Sequence, residues 1–456
     1  MLKSLLTTLF LATMSTQSLA ATIAIIDSGT DMKHQDIAPI AWTNSVDTTV
    51  NNRDEDRNGY QDDIYGWNFA EGNNLVIDYK YLGLLNDDIR NFFAIQTKMF
   101  LGTVTEEEMS WVRAKVNDAD FIARISKYGN FMHGTHVAGI ATRDIQSSKM
   151  FAVKLIPTEV NLPGDKAASF FPMSVNSTDK GLGEKLVKMG LKQLAKAQMT
   201  MMEEIAAYVD GHKADVANGS FGTGFNQAKQ IVEMVLKDVL RTKPSDEQVD
   251  EYAKYFVNQL VENGRKMMDA APNTLFVFAA GNDGMNNDLY PTSPTNIQAP
   301  NEISVAATLD FNSLAPFSNY GEREVDVAAP GVSIESAVPG DQYLKVSGTS
   351  QAAPYVANVA ALILEKNSAL RPVQVKEIIM ATVDVKSWLG GKVKTSGIVN
   401  KERAVVAAEL SKSVSLSEAI SRSLNTVSDV ESDEKSMFDI EYIEGSVLPL
   451  PSEFKL

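Results

Sequence analysis

Ala21-Thr22-Ile23-Ala24-Ile25-Ile26-Asp27-Ser28-Gly29 is the stretch that decides the fold. Its apolar residues are largely β-branched and do not alternate with polar ones. That is the pattern of a strand buried on both faces, as in a parallel sheet. The run ends on an acid and a turn-forming Ser-Gly, so it places Asp27 at the carboxyl end of a buried strand, where open α/β sheets put their sites. The same pattern recurs at residues 150–156, 215–218, 274–280 and 302–307. Helical periodicity fills the intervals, for example at 227–240, 246–268 and 352–364. Alternating strands and helices predict an α/β sandwich around a mostly parallel central sheet.

Composition narrows what such a sandwich could do. The 456 residues are 44% hydrophobic and 22% charged, which excludes a disordered chain and allows one enlarged domain or several smaller ones. With no cysteine there is neither a disulfide framework nor a thiolate metal site nor a cysteine nucleophile. Four histidines cap any His-rich metal centre. Lys+Arg 42 against Asp+Glu 58 gives a net charge of −16, which disfavours nucleic acid and anionic membranes as partners because phosphates are repelled.

Residues 1–20 read as an export signal, with Lys3, an apolar run and small residues at Ser18 and Ala20. No later stretch approaches the roughly twenty apolar residues of a membrane-spanning helix. The expectation is an exported protein, secreted or periplasmic. After the signal, residues 21–410 read as one domain carrying helical insertions at about 79–127 and 157–213. Thr105 to Glu108 and Ser245 to Gln248 carry capping-box spacing and predict helix starts. The Met cluster at 199, 201 and 202 reads as core filler. Residues 411–456 are Ser-rich and acidic, with nine Asp/Glu against four Lys/Arg from Lys412 onward, and are expected to be poorly ordered apart from a strand at 437–442.

Four blocks carry the chemistry. Asp27-Ser28-Gly29 ends the first strand. His133-Gly134-Thr135-His136-Val137-Ala138-Gly139 opens a helix between glycines. Phe276 to Gly284 ends a buried strand on Asn282, and Ser347-Gly348-Thr349-Ser350-Gln351-Ala352-Ala353-Pro354 runs from a tight turn into a helix. With these residues, in this order, the chain resembles the subtilisin-like serine peptidases. The resemblance continues through Tyr290-Pro291, Tyr320-Gly321 and residues 325–332, and covers most of 21–410 apart from the inserts.

The resemblance implies a three-layer sandwich and a Ser-His-Asp triad: Ser350 as nucleophile, His133 as general base then acid, Asp27 as orienting carboxylate. Asn282 and the Ser350 N–H would hold the oxyanion. No cofactor is needed for that chemistry. Ser220, Phe221 and Gly222 would form the edge that pairs with an extended peptide or protein substrate. Ala279, Ala280 and Gly281 would wall the pocket for the residue before the scissile bond, with Leu289 at its base and a preference for apolar residues. Rival readings are a silent relative that binds peptides, and a transferase or cyclase that passes the acyl group to an amine. The Gly-x-Ser-x-Gly elbow of lipases is absent at Ser350.

Asp54, Asp56, Asn58 and Asp62 alternate oxygens around Gly59, a pattern that suits structural Ca²⁺, although Tyr65 at the twelfth position excludes an EF-hand. Gln351, Tyr355 and Asn358 stand where the family often has Met, His and Gly. Secreted relatives commonly carry an inhibitory folding domain before the first strand, and here that strand follows the signal at once. The inserts or the acidic tail are therefore candidates for a brace or lid.

Overall fold

A computed structural model describes residues 21–159, 180–239, 244–430 and 442–452. The expected export signal at 1–20, most of the predicted 437–442 strand and residues 160–179 of the second insert lie outside the described residues.

The first strand, β1 (Thr22–Asp27), forms as expected and is buried along its whole length. It is followed by β2 (Gly66–Asn68), α1 (Asp87–Phe100), α2 (Glu106–Val116), α3 (Ala119–Ala141), β3 (Lys149–Lys154), α4 (Lys180–Gly211) and β4 (Val216–Gly219). Next come α5 (Phe225–Met234), α6 (Asp246–Ala270), β5 (Leu275–Ala279), β6 (Glu302–Leu309), β7 (Ser313–Leu314), β8 (Val327–Pro330), β9 (Ile334–Val338) and β10 (Gln342–Val346). The chain continues with α7 (Thr349–Lys366), α8 (Pro372–Ala381), β11 (Asp384–Val385), β12 (Gly397–Ile398), α9 (Lys401–Leu410) and α10 (Leu416–Thr426). The main sheet has the order β11-β12-β8-β6-β5-β4-β1-β3-β2, with β7 added to β6. Its pairings are parallel except at β11 and β7.

The unbroken apolar runs are explained by the two faces they serve. Ile23, Ile25, Ala152, Val277 and Ala279 point into a core shared with Val137 and Ala138 of α3 and with α7. Ala24, Ile26, Phe151, Phe276 and Phe278 point into a second core under α4, α5 and α6. Successive side chains of a strand alternate faces, and here both faces are covered by helices. Met199 and Met202 are buried in the second core, the filler role expected of them.

Both predicted capping boxes form. Thr105 Oγ1 accepts from Glu108 N at 3.2 Å while Glu108 Oε2 accepts from Thr105 N at 2.9 Å. Ser245 and Gln248 exchange the equivalent pair at 3.3 and 3.1 Å. The first insert builds a core of its own, in which Phe92, Phe93, Phe121 and Phe131 pack against Val338, Leu344 and Val346 of the β9–β10 hairpin.

Two expectations need correction. His133 does not open a helix. Asp118 caps α3 by accepting from Asp120 N and Phe121 N, so the insert runs without a break into the helix that carries His133. The residues after 410 are also not uniformly loose. Leu416, Ala419, Ile420 and Ser423 share one face of α10, and the last three are buried. Buried Arg403 then ties this region down through Asp384 at 3.0 Å, Asp429 at 2.8 Å and the Val427 carbonyl.

Candidate active site

Asp27 ends β1 and contacts His133 of α3, while Ser350 is hydrogen-bonded to Ser220 just after β4 and its neighbour Thr349 to Asn282 just after β5. Asp27 is fully buried, and its Oδ1 lies 2.7 Å from His133 Nδ1 and accepts from Ser28 N at 2.7 Å. Two more contacts pin α3 against this turn: Gly134 N donates to Ser28 Oγ, and Asp31 N donates to Thr135 Oγ1. The approach is so close that a Cβ on Gly134 would lie 2.3 Å from the Gly29 carbonyl oxygen, which only glycine permits.

Ser350 is the second residue of α7, so its N–H is in the first turn, where helical N–H groups lack intrahelical partners. Pro354, four residues on, has no N–H to give the Ser350 carbonyl. Ser220 Oγ supplies that hydrogen bond at 3.0 Å, and Asn218 Nδ2 in turn donates to Ser220 Oγ at 2.9 Å. Ser350 Oγ donates back to the Ser220 carbonyl at 3.4 Å, and no hydrogen bond joins it to His133 in this arrangement. Catalytic hydrogen bonds are often long or misaligned until substrate binds.

Asn282 is oriented by Thr349. Its Oδ1 accepts from both Thr349 N and Thr349 Oγ1 at 2.8 Å. That leaves Nδ2 as the outward donor, and it reaches the Leu448 carbonyl at 3.0 Å. Thr349 was not singled out in the sequence; its place beside the Ser was the available signal.

His136 lies one helical turn beyond His133. Burial pushes its pKa down to about 3, although the Leu344 carbonyl bound to Nε2 at 3.1 Å works against this. The ring is therefore neutral, with Nε2–H donating and Nδ1 free to accept from Gln351 Nε2 at 3.4 Å. This explains Gln351 beside the Ser. Asn358 is explained as well: its Nδ2 donates to the Ala141 and Arg143 carbonyls at the end of α3.

The expected substrate-binding residues divide. The side chains of Ser220 and Phe221 are buried, the latter against Phe278, so only the backbone of 220–222 is available as an edge. Ala279 and Ala280 are fully buried, and Gly281 N donates to Thr349 Oγ1. Leu289 does not form a pocket base: it is 59% exposed, on a turn closed by the Asn286 carbonyl.

Three of the four expected calcium ligands, the carboxylates, accept hydrogen bonds from backbone and amide N–H groups, and Asn58 N reaches both Asp54 and Asp56. Asp54 accepts from Asn58 N and Gly59 N, Asp56 accepts from Asn44 Nδ2 and Asn58, and Asp62 accepts from Asn51 N and Asn52 N. Among the described residues no group of three or more His, Asp or Glu side chains is arranged to hold a metal ion. Asp63, next in the chain, is buried with His212 Nε2 at 3.2 Å. Burial would raise its carboxyl, but hydrogen bonds from His212, Asn44, Asn58 and Tyr208 outweigh that and hold it below the ordinary carboxylate range.

A segment no motif pointed to crosses the site. Residues 446–452 run from α1, where Gln96 Nε2 donates to the Ser446 carbonyl at 2.6 Å, past Asn282 to the 220–223 edge. There Gln227 Nε2 donates to the Leu450 carbonyl at 2.8 Å, Gly222 N donates to the Pro451 carbonyl at 3.0 Å, and Thr223 Oγ1 meets Ser452 Oγ. His133, Asn226, Gln227 and Asp283 line the cleft beside it.

Known proteins are similar to this chain in sequence. Alkaline elastase YaB of Bacillus sp. (strain YaB) is 40% identical over 135 residues, covering 29% of this chain and 33% of that protein. Subtilisin Savinase of Lederbergia lenta is 39% identical over 131 residues, covering 28% of this chain and 45% of that protein. The matched stretch thus spans less than half the length of these curated relatives. A solved cold adapted subtilisin-like serine proteinase aligns over 83% of this chain and 86% of its own at 19% identity, with a TM-score of 0.43. The profile of the subtilase family matches residues 19–405, and the chain belongs to that family.

Proposed function

We propose that the protein is an exported serine endopeptidase that hydrolyses peptide bonds through an acyl-enzyme on Ser350. The observation that carries this reading is the buried Asp27–His133 contact at 2.7 Å, together with an Asn282 amide held by Thr349 with its Nδ2 donating to a peptide carbonyl, that of Leu448. In this reading His133 Nε2 takes the Ser350 proton as the hydroxyl attacks the substrate carbonyl. Asp27 fixes the Nδ1–H tautomer and stabilises the imidazolium. Asn282 Nδ2 and Ser350 N donate to the oxyanion, a placement worth about 2.7–4 kcal/mol of barrier for one donor. His133 then protonates the leaving amine, and water repeats the sequence to release the acid.

Export rests on the residue 1–20 pattern, together with the lack of any helix long and apolar enough to cross a membrane among the described residues. Substrates are peptides or proteins with an apolar residue before the scissile bond. Cleavage profiling that returns only charged residues at that position overturns the preference. A fluorophosphonate probe is expected to label the wild type and not Ser350→Ala, and equal labelling of the two would defeat the assignment. Structural Ca²⁺ near residues 54–62 is a separate proposal. It draws on Asp47 Oδ1, which is buried and accepts no hydrogen bond, and has the amide-bound carboxylates against it. A melting temperature unchanged by EDTA overturns it.

A further inference from the structure

We infer that residues 446–452 are a resident peptide ligand of the cleft, and that this strap holds the enzyme in a blocked state. The inference rests on the peptidase reading and deepens it. Three donors from three elements, Asn282 Nδ2, Gln227 Nε2 and Gly222 N, take the carbonyls of Leu448, Leu450 and Pro451. Val447 and Leu450 are buried at 4% and 5% exposure and join the core beneath the sheet, so the seat is apolar as well as polar. The strap is closely seated at Gly129, where a Cβ would press on the Leu448 side chain at 3.0 Å.

The strap occupies the oxyanion donor without offering a cleavable bond, for two reasons. The bond after Leu448 leads to Pro449, so the group to be expelled is a tertiary ring nitrogen. The polarity is also wrong. If, as the peptidase reading has it, a substrate lays the residues before its scissile bond along the 220–222 edge, the strap runs the other way, since its residues after Leu448 lie there. The ligand class follows from the spacing. Leu448-Pro449-Leu450-Pro451 alternates apolar side chains with prolines that lack N–H groups, matching a cleft that offers donors. The cleft takes apolar, proline-alternating peptides in this reversed sense.

A strap seated about nine-tenths of the time leaves one-tenth of the molecules competent and slows every reaction at Ser350 by about tenfold. The test measures fluorophosphonate labelling rate and kcat/KM for the full chain and for Leu448→Asp, with Leu450→Ala as a milder second variant. A synthetic peptide of residues 443–452 is then added in trans. Leu448→Asp is expected to react up to about tenfold faster and Leu450→Ala by a smaller factor, and the peptide to restore the block and be recovered intact by mass spectrometry. Equal rates in wild type and variants, with Ser350 labelled in all, overturn the strap and leave the peptidase standing. Cleavage of the peptide after Leu448 overturns it too, because the segment is then a substrate. Absence of labelling in every form overturns the peptidase reading and the strap with it.

Discussion

Asp27 and Glu302 are both fully buried acids in the central sheet, one at the carboxyl end of β1 and one at the amino end of β6. Their surroundings differ. Asp27 Oδ1 has the Ser28 N–H and the His133 ring, each at 2.7 Å. Neither carboxyl oxygen of Glu302 accepts a hydrogen bond; Lys376, its nearest cation at 3.9 Å, is engaged with Asp326 at 2.9 Å. Burial, reinforced by the charge of Asp326, pushes the Glu302 carboxyl well above its ordinary range. One oxygen of Asp27 is thus held by two partners while its Oδ2 has none, whereas Glu302 has none on either oxygen and burial favours its protonated form. In the proposed mechanism the acid with a hydrogen-bonded oxygen is the one that is used.

The largest effect that could break this contrast is at Asp27. Asp27→Asn keeps the shape but favours the wrong imidazole tautomer, and kcat is expected to fall by about 10⁴-fold with little change in fold. A loss under tenfold in steady-state kinetics would mean the contact is merely structural. Next is Asn282→Ala, which removes the outward donor while leaving the acids alone. The expected loss is about 10²–10³-fold in kcat, and an unchanged kcat with raised KM would assign Asn282 to binding only.

The smallest effect is at Glu302, where the sign is opposite. Its folded pKa is raised, so its contribution to stability is fully present below the unfolded value and is lost as pH rises toward the folded one. Glu302→Gln is therefore expected to raise the melting temperature, more at pH 8 than at pH 5, with activity intact. A lower melting temperature at pH 8 would show that the carboxylate is compensated after all.

The same contrast explains what could be read from residues alone. The strands were legible because burial on both faces writes an unbroken apolar run, as in residues 22–26. The Asp, His, Asn and Ser positions were legible because each is bracketed by the glycines or small residues that close approach demands, Gly134 most clearly. The true start of α3 was hidden because the insert's own helical pattern continues into the His133 segment. Leu289 misled because an apolar residue on a turn carries no record of which way it faces. In α10, serines around Leu416, Ala419 and Ile420 masked a buried stripe. The strap was illegible for a deeper reason: Leu-Pro-Leu-Pro reads locally as a linker, and its partners lie more than 160 residues away in the chain.

The central claim is that the Asp27–His133 pair makes Ser350 a nucleophile. Its most direct test is to quench the Leu448→Asp variant during turnover of a slowly deacylating ester and map the adduct by peptide mass. The account predicts one acyl group, on the peptide carrying Ser350, and none when Ser350→Ala is added to the same variant. An acyl group on another residue, or turnover that survives Ser350→Ala, would contradict it.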